Sequence, residues 1–130
     1  MLRASLDSKH MSIDKFSRWL RALCTILLGR NKQQDRANAL SFIEQAVEVM
    51  KENEDESGEQ MYAHDEREWL LHIAFNTGVE RFSVSDLEEA KRWIETATAL
   101  ARLVHNSYAA SEKINALYQQ VLARYDPQRS

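Results

Sequence analysis

Glycine and proline are scarce in this chain, with three and one residues among 130, where average usage would supply roughly 15. Sandwiches and barrels need turn residues at short intervals, so both are disfavoured, as is a long disordered tail. Cysteine occurs once, as Cys24 inside a hydrophobic run. No internal disulfide and no Cys-pair zinc site can form, and a reducing, intracellular setting fits best. Long apolar runs are also missing. The longest, such as Ile26-Leu27-Leu28, spans three residues against the ~18 that a membrane span requires, so no membrane association is expected. A basic surplus is lacking too, since 17 Lys and Arg face 20 Asp and Glu for a net charge of -3. A protein that lives on phosphate contacts usually carries excess positive charge, and direct nucleic-acid binding is disfavoured.

What is abundant points to helices. Ala (15), Leu (14) and Glu (13) are the commonest residues, and their side chains lose little rotamer freedom in a helix. The expected fold class is all-α, in a length that suits one domain. Residues 1–12 have mixed polarity and no signal-peptide core, and His10-Met11 resembles a cloning junction. They are expected to form a leader outside the fold, followed by a helical domain over 13–125 and a tail over 126–130.

Five helices are expected from periodicity. The first runs from Ile13 with Phe16, Trp19, Leu20, Leu23, Cys24, Leu27 and Leu28 inward, and Gly29 offers its stop. The second covers Gln33 to Met50. Residues 51–62 carry a block of acids with no apolar residue between Glu52 and Glu59, so an acidic loop is expected there. Without the net charge of about -4 over 51–60, the remaining chain stands near +1. The third helix is expected to begin at Asp65, capping with Glu68. The fourth opens at a Ser85-Asp86-Leu87-Glu88 capping box, and the fifth runs from Tyr108 to Tyr125 with Pro127 beyond.

The second and fourth helices share a pattern. Ala39-x3-Ile43-x2-Ala46 is echoed by Ala90-x3-Ile94-x2-Ala97, the small-large-small order of the second helix of a tetratricopeptide repeat. Twelve and sixteen residues before Ala90 lie Gly78 and Ala74, where the first helix of such a repeat is packed closely. Gly inside a helix costs about 1 kcal/mol relative to Ala, so Gly78 implies tight contact. The two units lie 51 residues apart, a spacing stretched by the acidic insertion. The expected architecture is a five-helix tetratricopeptide-like array of two degenerate repeats plus a terminal helix, with an ordinary five-helix bundle as the competing arrangement.

The segments Trp19-Leu20-Arg21-Ala22-Leu23-Cys24-Thr25-Ile26-Leu27-Leu28, Ile43-Glu44-Gln45-Ala46-Val47, Asp65-Glu66-x2-Trp69-Leu70, Ala74-Phe75-Asn76-Thr77-Gly78 and Glu89-Ala90-Lys91-Arg92-Trp93 resemble a family of fungal meiosis proteins. This is the sporulation-specific, synapsis-initiation "Zip-four" type of tetratricopeptide scaffold, and the likeness runs from about Trp19 to Tyr125. The resemblance implies a helical solenoid without enzymatic activity, acting in the nucleus on meiotic chromosomes and joining other synapsis and crossover factors. Members of that family are several times longer, so it also implies a fragment or a shortened relative.

Catalytic and metal chemistry find little support in the residues. His10, His64, His72 and His105 form no His-Glu-x2-His or Glu-x2-His motif, so no metal is expected. Cys24 lies between Leu23 and Thr25 in a helix interior and reads as an inert packed thiol. Asp65-Glu66 and Glu88-Glu89 sit in first helical turns, where acids favour the helix dipole over acid-base work. No phosphate-binding glycine loop or nucleophile elbow occurs. Neither an enzymatic activity nor a cofactor is expected. Arg18, Arg21, Arg30, Lys32 and Arg36 cluster around the first helix, as a solvated edge or as a mate for an acidic peptide or DNA phosphate.

The expected function is protein-protein interaction. First helices of stacked hairpins line a groove, which places Arg21, Cys24 and Leu28 of helix one and His72, Phe75, Val79 and Phe82 of helix three in a partner-binding groove. A peptide or helix would insert apolar anchors there, with Arg21 on a carboxylate. The competing arrangements bury the same stripe in a homo-oligomer or beneath helix five, and a third reading is a DNA-binding helical domain, whose affinity would fall steeply with salt.

Overall fold

A computed structural model describes residues 12–54 and 61–125. Among these residues there are five helices and no strands, so the fold is all-α. We name them α1 (Ile13–Arg30), α2 (Gln33–Glu52), α3 (His64–Ser83), α4 (Leu87–Ala101) and α5 (Tyr108–Tyr125). The chain divides into two compact units, Met1–Arg67 and Glu68–Ser130, with the boundary inside α3.

In the first unit α1 and α2 pack side by side, joined by Asn31 and Lys32. Ser12 starts α1, its hydroxyl accepting from the Lys15 N–H at 3.2 Å, so the expected leader gives up its last residue to the fold. Residues 1–11, the rest of that leader, lie outside the described residues, as does the tail 126–130. Gly29 does not end α1. The helix continues to Arg30 and stops at Asn31, in the left-handed region at φ 53°. The buried Arg36 guanidinium fixes that end, donating to the Asn31 carbonyl at 2.8 Å and side-chain oxygen at 3.1 Å. Burying a cation is costly unless its donors are satisfied, and this one anchors a helix terminus instead of facing a ligand. Phe16, Leu20, Cys24, Leu40, Ile43 and Met50 are essentially inaccessible in the core, with Tyr62 edge-on to Phe16. Trp19, expected inward, is 37% exposed.

The acidic loop begins later than expected. Lys51 and Glu52 remain helical, and Asn53 closes α2 through its N–H to the Met50 and Val49 carbonyls; residues 55–60 lie outside the described residues. At the start of α3, the N–H groups of Glu66 and Arg67 donate to the Ala63 carbonyl at 3.1 Å. The helix therefore opens at His64, and Asp65 is a first-turn acid instead of the expected cap.

In the second unit Leu70, Ala74, Trp93, Ile94, Leu100 and Val121 form the core. Gly78 is packed against α4. A Cβ built on it would lie 2.9 Å from Ile94 Cγ1 and closer still to Ile94 Cδ1, which is the close approach its sequence position implied. The Ser85 capping box is displaced by one residue. Ser85 adopts φ 63° and ends α3, with the Asp86 N–H donating to the Arg81 carbonyl at 2.8 Å and the Ser85 N–H to the Phe82 carbonyl at 3.0 Å, the paired bonds of a Schellman ending. A residue spent on closing one helix is not placed to cap the next. Asp86 does so, accepting from the Glu89 N–H at 3.4 Å. Glu89 in turn accepts from the Trp93 indole at 3.1 Å. α5 packs along α4, and the Ser107 hydroxyl between them donates to the Ala101 carbonyl at 2.7 Å.

Candidate interaction surface

The sequence assigned Arg21, Cys24 and Leu28 of α1 to a groove. Cys24 does not belong to it, being fully buried in the core. Its position is in register with Phe16, Leu20 and Leu27 along the inward face, which the four-residue step from Leu20 already marked. Arg21 is exposed but occupied, paired with Glu66 at 3.6 Å, and Leu28 is half-buried. On α3, His72 and Val79 are exposed while Phe75 and Phe82 are half-buried. The Arg124 guanidinium of α5 lies 4.9 Å above the Phe82 ring, a cation-π contact that covers one end of that face.

Burial pushes the Cys24 thiol up to about 12 from an ordinary 9.0, which favours the protonated thiol over the thiolate. The folded state keeps its proton where the unfolded chain loses it. The associated stability is therefore complete below about pH 9 and lost as pH rises through about 12. Urea unfolding between pH 8 and 11 is expected to show a steeper alkaline loss for the native chain than for Cys24→Ala, by up to ~1.4 kcal/mol per pH unit. Equal slopes would place the thiol in contact with water. Tyr62 is also raised, first by burial and then by Glu66, and its hydroxyl has no hydrogen-bond partner among the described residues.

The basic cluster around α1 is mostly engaged within the chain. Arg18 meets Asp14 at 2.8 Å, Arg30 meets Asp35 at 3.9 Å, and Arg36 serves the helix end. Ligand atoms of His64, Asp65 and Glu68 lie within 4.8 Å of one another on the opening turns of α3. His64 and Glu68 both take part in polar interactions, and we assign no metal to this largely exposed group. Between α4 and α5 an open cleft of about 600 Å³ is lined by Thr98, Arg102, Ile114, Asn115 and Tyr118 among others. Glu95 stands on its rim and accepts from both Lys91 at 2.8 Å and the Tyr118 hydroxyl at 3.0 Å.

The accessible apolar face of α1 lies elsewhere than expected. Trp19 is 37% and Ile26 56% exposed, with Leu23 half-buried beside them. The Trp19 ring stands edge-on to Phe42 of α2 at 5.7 Å and 6.0 Å from Phe16, so its inner side is packed while its outer side meets solvent. Sequence periodicity grouped Trp19 with the core, and its wide spacing from Leu20 around the helix was the signal that could have separated them. Comparison with protein-family models, curated proteins and solved structures gives no match to this chain.

Proposed function

We propose that this chain is a non-enzymatic protein-interaction module. The exposed Trp19, packed edge-on against Phe42, and the exposed Ile26 on α1 carry the reading. Neighbouring large apolar side chains left in water on one helix face favour the docking of another polypeptide, because covering them recovers the hydrophobic free energy that folding left unused. A tetratricopeptide-like build fits the reading. The small-large-small positions Ala39, Ile43, Ala46, Ala90, Ile94 and Ala97 are all buried, and Gly78 makes the close helix contact such hairpins use. On the resemblance given above, the partners would be meiotic synapsis and crossover factors in the nucleus.

Site-specific photocrosslinking tests the interaction. A benzophenone side chain at Ile26 is expected to give one discrete adduct in the native cells, absent when the same group replaces Glu48, an exposed residue of α2. No adduct at position 26, or the same adducts from both positions, would sink the proposal.

A further inference from the structure

Resting on that reading, we propose that the solvent side of α1 is one half of a two-helix seam and that its occupant is an acidic amphipathic helix of another protein. Lys15, Trp19, Ala22, Ile26 and Gly29 follow one another at steps of four, three, four and three, and all five are exposed. That spacing is the heptad rhythm by which one helix receives the side chains of another. Bulk alternates along it. Trp19 and Ile26 project, while Ala22 and Gly29 leave hollows, and a Cβ added to Gly29 would meet nothing within 4 Å. An extended peptide repeats every two residues and would not keep step with these hollows, whereas a helix does.

Charge selects the occupant. α1 carries four basic residues against one acid; Arg18 and Arg21 are paired within the chain with Asp14 and Glu66, which leaves Lys15 and the loosely held Arg30 to face a partner. Lys15 heads the seam without an ion pair among the described residues, and Arg30 stands beside its other end, 61% exposed in a loose 3.9 Å contact with Asp35. The two cations are about 22 Å apart along the axis. A second copy of the chain would fit badly. Parallel pairing sets Lys15 against Lys15 and Arg30 against Arg30, and antiparallel pairing sets each Lys15 against the other's Arg30, like charge in both cases. Carboxylates flanking the apolar face of a partner helix meet the cations in either direction.

Two synthetic 21-residue helices with the same leucines at heptad positions, one flanked by Glu and the other by Lys, separate the possibilities. Fluorescence anisotropy with the whole chain is expected to give at least tenfold tighter binding for the Glu peptide, weakening with salt. Lys15→Glu with Arg30→Glu reverses that preference, and Ile26→Glu removes binding of both peptides with helical circular dichroism unchanged. Equal or reversed preference by the native chain, or no binding of either peptide at millimolar concentration, overturns the inference. So does a dimer by light scattering that Ile26→Glu dissolves, which makes a second copy the occupant. A photocrosslink from Ile26 to a basic or non-helical partner refutes the acidic helix while leaving the interaction module intact; no crosslink there removes the module itself.

Discussion

Trp93→Ala is expected to destabilise the second unit by about 3–5 kcal/mol, the range for removing a large aromatic side chain from a closed core. Trp93 is the largest of the fully buried side chains, and its indole N–H is satisfied by Glu89. Truncation therefore leaves a cavity and also releases a carboxylate from its donor. Single domains are stable by only ~5–15 kcal/mol, so the loss is a large fraction of the whole. Hydrogen exchange is the direct measure, with protection expected to fall most in α4 and α5. A loss below about 1 kcal/mol would mean that the core closes over the gap and that Trp93 is not its centre.

Gly78→Leu is expected to cost about 1–3 kcal/mol or more by overpacking. The first added carbon already conflicts with the Ile94 side chain, and Trp93 Cβ stands 3.5 Å from it, so displacement of Ile94 leads towards an occupied core. Gly78→Ala is the informative companion. It gains about 1 kcal/mol of helix propensity and loses more if Ile94 cannot turn aside. Thermal unfolding of the two variants is expected to rank native above Ala above Leu. An Ala variant more stable than the native chain would show that α3 and α4 are not held at glycine distance.

Helix identity was legible because the apolar positions recur at helical spacing, and α5 runs over the residues its pattern marked. Helix ends were less so, because they depend on backbone shape. The Ser85-x-x-Glu88 sequence satisfies the capping rule as well as Asp86-x-x-Glu89 does, and only the left-handed turn at Ser85 decides between them. Gly78 was readable as a close contact because a glycine inside a helix has few other reasons to be there. The accessible face of α1 was not readable. Its apolar residues cover more than one side, and which side meets α2 depends on where Phe42 stands. Cys24 is packed, as its place between Leu23 and Thr25 implies, and belongs to the core instead of a groove, because the inward face of α1 runs through that position whereas repeat geometry would turn it outward.

The turn at Ser85 leaves no slack in the second unit. One residue closes α3, its neighbour opens α4, and the Ser85 hydroxyl also accepts from Arg124 of α5 at 2.8 Å. Lengthening this link by even one amino acid would unsettle three helix termini together, so natural variation in chain length and engineered tags alike are best accommodated somewhere other than this corner.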